Sequence, residues 1–106
     1  MNQDEFKRRK KNLVDKLEIN AQALKDQIQK QETYEDLSKA SSQFLTENTE
    51  VFASSIDSKI FTEFLEEHYH LDKKVKKSFI QEREELLHEQ RSLHQEEKEI
   101  NEELKP

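Results

Sequence analysis

Four histidines occur in a carboxylate-rich chain, and two of them follow a glutamate by three residues: Glu67 with His70, and Glu85 with His88. On a helix that spacing puts both side chains on one face, as in the ligand pairs of carboxylate-bridged di-iron bundles. A di-iron centre needs its pairs on facing helices together with further carboxylates in the core. Here both pairs fall far apart on one predicted helix, so no metal site and no cofactor is expected. For nucleophilic chemistry the chain offers Ser54, Ser55, Asp57 and Ser58, with His68 about three helical turns on. Glycine is absent altogether, and with it the residue that forms a sharp nucleophile elbow or a phosphate-cradling loop. Capping of a helix is the better use of Ser54 and Asp57, which have the three-residue spacing of a weak capping box. The chain is not expected to be an enzyme.

Two basic runs, Lys7–Lys11 and the lysines at 73, 74, 76 and 77, could touch phosphates. Five consecutive helical residues point in all directions, however, and no aromatic side chains alternate with them to stack on bases. With a formal net charge of -6, the chain as a whole repels a phosphate backbone. Nucleic acid is therefore not an expected partner. The run at 7–11 finds a closer match in Glu96, Glu97, Glu99, Glu102 and Glu103, which antiparallel closure would bring beside it.

The elements that would carry these residues are two helices. The only proline is Pro106, so nothing before it breaks a helix. Asn2 and Glu5 have capping-box spacing for a start. Positions 14, 17, 21, 24 and 28 step by three and four, and the stripe resumes at 34, 37, 41 and 44 after an apparent slip of one residue. Thr46–Asp57 is the least helical stretch, with Phe52 placed to close the end of a bundle. Beyond it Phe61, Phe64, His68, Leu71 and Val75 repeat the spacing. Phe79, Leu86, Leu93 and Ile100 recur every seven residues, but their companions Glu82, Glu89 and Glu96 are charged, leaving half a seam. The last 25 or so residues are expected to be helical yet poorly buried unless something long lies beside them.

This predicts one all-α domain over 1–106, an antiparallel two-helix hairpin with helix one at about 3–48, a bend at about 49–55 and helix two at about 56–104. At 106 residues, 31% of them hydrophobic and 40% charged, its own core is thin. Two rods cannot enclose Phe44, Phe52, Phe61, Phe64, Tyr69 and Phe79 together, so partner helices are expected to complete an elongated three- or four-helix bundle. The partner-binding residues expected are Leu17, Leu24, Ile28, Leu37, Phe44, Phe52, Phe61, Phe64, Leu71, Val75 and Phe79. No run of 18 apolar residues and no signal-peptide h-region occurs, which points to a cytoplasmic protein without stable membrane insertion. The lack of cysteine excludes disulfides and thiolate sites.

Two long helices joined by an aromatic bend resemble the WXG-type proteins of type VII secretion, with Phe52-Ala53-Ser54 standing where the family has Trp-x-Gly. Within that superfamily the chain looks more like the Lap targeting factors encoded with LXG-domain toxins. The features shared are the polar first helix, the aromatic bend, the Phe61, Phe64 and Leu65 cluster, and the Glu-, Gln- and Arg-rich second helix. The resemblance implies a WXG-like hairpin that binds the helical N-terminal LXG domain of a cognate toxin and targets it for type VIIb secretion. A second small helical targeting factor is a further implied partner, and export with the cargo without a signal peptide is an implied route. Neither Tyr34 nor Tyr69 begins the Tyr-x-x-x-Asp/Glu signal of related substrates. The alternative expectation is a homodimeric coiled-coil or four-helix structural protein without a toxin client.

Overall fold

A computed structural model describes residues 2–53 and 58–103. Two helices, α1 (Gln3–Val51) and α2 (Ser58–Glu103), form an antiparallel hairpin. The start of α1 is capped as its sequence predicts, with the Glu5 amide donating to Asn2 Oδ1 at 2.8 Å. Asp4 and Glu5 in the first turn complement the helix dipole. At the other end the Thr/Asn cluster stays helical. Asn48 and Thr49 turn their side chains back onto the carbonyls of Phe44 and Leu45, at 2.8 and 2.7 Å, so they compete less with the backbone. The helix closes through the Ala53 amide, which donates to the Glu50 carbonyl in a tightened last turn. The proposed cap formed by Ser54 and Asp57 lies outside the described residues.

Little of either helix is buried, and local side-chain pairs support the exposed faces. Gln22 donates to Asp26, Gln43 to Glu47 and Gln81 to Glu85, each one turn on. Such pairs contribute about 0.2–0.5 kcal/mol apiece.

The chain divides into two compact units, one made of residues 1–28 with 81–106 and the other of residues 29–80. In the first unit Leu13, Leu93 and Ile100 form the buried core, with Phe6 and Leu17 packed against it. The C-terminal stretch is thus better covered than its sparse heptads suggest, because the first half of α1 lies along it. Asn20 and Gln27 are also buried, and Asn20 Nδ2 donates to the Leu86 carbonyl at 2.9 Å. Arg9 meets Glu103 at 3.5 Å, the one ion pair described between the basic run and the acidic end.

The inward row of α1 reads Leu13, Leu17, Asn20, Leu24, Gln27, Gln31, Tyr34, Ser38, Ser42 and Leu45, an unbroken three- and four-residue spacing. The slip expected between Ile28 and Tyr34 does not occur. The stripe expected at 14, 21 and 28 is displaced by one residue, leaving Val14 and Ile28 exposed, and likewise Leu37 and Phe44 lie outside while Ser38 and Leu45 lie inside. The physical reason is the facing row on α2: Leu93 and Ile100 find their large apolar opponent in Leu13, and Asn20 has the reach to bond the Leu86 carbonyl.

Candidate partner-binding surface

The unit of residues 29–80 is held by a mixed seam. Phe52 and Phe61 stack at the bend end, with ring centres 5.3 Å apart and planes 13° from parallel. Tyr34 and Phe79 meet at 5.6 Å further along. Between them lies a polar layer that no residue pattern predicts, because its members come from both helices and none forms a motif. The Ser38 hydroxyl donates to Asp72 Oδ1 at 2.5 Å, the Tyr34 hydroxyl donates to the same oxygen at 3.0 Å, and Lys76 pairs with Asp72 Oδ2 at 3.0 Å. His68 Nε2 lies 3.1 Å from the Ser38 carbonyl and 3.4 Å from its hydroxyl.

A serine, a histidine and an aspartate in one layer invite comparison with a catalytic triad, and the wiring answers it. A carbonyl can only accept, so the network assigns the Nε2 proton to His68, and that nitrogen cannot take a proton from Ser38. The serine proton goes to the aspartate instead, whereas a triad has aspartate orienting histidine. Mid-helix amides here are already committed to the helix and leave no oxyanion donors. The layer fits a structural role: a polar contact inside a seam fixes register at a cost in stability. Hydrogen bonds from Ser38 and Lys76 hold the Asp72 carboxyl down at about 2. Burial, then the bond to Asp72, raises the Tyr34 phenol, and Asp72 raises the Lys76 ammonium.

An open groove of about 1230 Å³ runs beside this layer, lined by Glu35, Ser42, Tyr69, Asp72 and Lys76 among others. It lies on the side of the unit that carries Glu35, Lys39, Glu66 and Lys76, with Leu65 and Tyr69 in its lining. The opposite side is apolar. Leu37 and Phe44 each precede an inward residue of α1, and Phe64 and Leu71 each precede an inward residue of α2. In antiparallel helices those two flanks fall on the same side of the seam. All four are exposed, at 63%, 61%, 49% and 60%. No apolar residue among those described in this unit is fully buried, since the buried core belongs to the other unit.

The eleven expected partner-binding residues thus separate into two groups. Leu17, Leu24, Phe61, Val75 and Phe79 are half-buried in the seam within the hairpin. Ile28, Leu37, Phe44, Phe64 and Leu71 face outward, and Phe52 is partly exposed while stacked on Phe61. Of the outward group, Leu37, Phe44, Phe64 and Leu71 share one side. Spacing alone placed all eleven together; the polar seam at 20, 27 and 38 is what separates them.

Among the described residues no helix is long and apolar enough to cross a membrane, and no cluster of three or more His, Cys, Asp or Glu side chains could hold a metal ion. No family model, curated protein or solved structure matches the chain.

Proposed function

We propose that this protein is a non-enzymatic adaptor that binds the helical N-terminal LXG domain of a cognate toxin and directs it to type VII secretion. The observation that carries the reading is the side formed by Leu37, Phe44, Phe64 and Leu71, which stands exposed on a unit with no fully buried apolar side chain among those described. Contiguous apolar surface of this kind marks a contact site, and helical partners bind through large side chains spaced along one face. The resemblance to Lap factors supplies the client, and the outward aromatics supply the physical means of holding it. Binding energy would come from a few such anchors and not from the abundant surface charge.

Co-expression with the products of adjacent reading frames, followed by affinity capture, tests the reading. Capture of an LXG-domain toxin is expected from the native chain. Phe64→Glu with Leu71→Glu is expected to abolish it while leaving the helical content unchanged, since both side chains lie outside the seam. A chain that forms a stable homodimer and captures no neighbour would instead be a client-free four-helix scaffold.

A further inference from the structure

Leu37, Ala40, Ser41 and Phe44 surround a hollow of about 430 Å³ on the apolar side of the 29–80 unit. Their spacing of three, four and seven residues is that of the four-residue hole into which a facing helix inserts a side chain in knobs-into-holes packing. Its two central members are small and its end members large, which leaves a shallow, open hollow between Leu37 and Phe44. Charge on the same side is graded along the helices. Glu47 and Glu67 lie toward the bend, while Lys74 and Lys30 lie away from it, all exposed.

We propose that this socket receives one amphipathic helix from another chain. That helix presents large aliphatic knobs at heptad spacing, Lys or Arg where it meets Glu47 and Glu67, and Asp or Glu where it meets Lys74 and Lys30. The inference rests on the adaptor reading above and adds the socket and the charge order.

The probes are two labelled synthetic helices of equal composition with leucine at both seam positions of each heptad, one with lysine confined to one half and glutamate to the other, one with the charges interspersed. Anisotropy with the full chain is expected to show at least tenfold tighter binding of the segregated helix. Ala40→Phe fills the socket from an exposed position and is expected to cut that binding at least tenfold with the thermal melt unchanged. Lys30→Glu with Lys74→Glu is expected to erase the preference between the two probes. Equal binding of both probes, binding of neither, or full binding by Ala40→Phe overturns the proposal, as does a homodimer in solution that Ala40→Phe dissociates. The adaptor reading fails separately, when affinity capture returns no neighbour whatever the probes do.

Discussion

Asp72 collects two hydroxyl protons and a lysine in the middle of a seam, and this makes the charged carboxylate the form that the fold prefers. Its pKa is lowered from 3.8 to about 2, so its contribution to stability is complete above about pH 4 and is lost as the pH falls toward 2. Asp72→Asn is expected to flatten the decline in Tm across that interval, measured by circular dichroism melts at stepped pH. Asn20 presents the opposite case. It is 1% exposed, its amide nitrogen is bonded, and its Oδ1 has no protein partner. Asn20→Leu removes that desolvated oxygen, while the Leu86 carbonyl keeps its helical bond. The variant is expected to unfold at higher urea concentration, by about 1–3 kcal/mol, with the register less tightly specified.

The helices themselves are legible in the sequence, because no glycine or internal proline interrupts a composition of strong helix formers. The phase of α1 is less legible, for a specific reason. Leu17 and Leu24 belong to two competing stripes: one continues through Val14, Ala21 and Ile28, the other through Leu13, Asn20 and Gln27. Hydrophobicity alone favours the first; the facing helix selects the second, since Leu93 and Ile100 pack on Leu13. Leu13→Ala is therefore expected to cost about 2–5 kcal/mol and its neighbour Val14→Ala less than about 0.5, compared by urea unfolding. The same ambiguity blurred the candidate surface: with the wrong phase, Leu37 and Phe44 share one stripe with Leu17 and Leu24, so all four read as partner-binding residues and the seam is not told from the outward face. The polar layer stayed hidden because Tyr34, Ser38, His68 and Asp72 are distant in sequence and become neighbours only once the hairpin closes.

At the scale of the whole molecule, apolar burial is unevenly shared. The described buried core lies in the unit of 1–28 and 81–106, whereas the unit of 29–80 relies on half-covered aromatics and the Asp72 layer. Amides in the middle of that second unit are expected to exchange with deuterium faster than those flanking Leu13 and Leu93. Surface charge contributes little by comparison: Arg9→Glu removes a half-exposed pair with Glu103 and is expected to cost about 0–1 kcal/mol, an effect that vanishes in high salt. A stretch that displays Phe44 and Phe64 to solvent offers proteases the exposed hydrophobic side chains they recognise. On the proposed adaptor role, copies made in excess of the partner would be degraded, and the supply of that partner would set the lifetime of this chain.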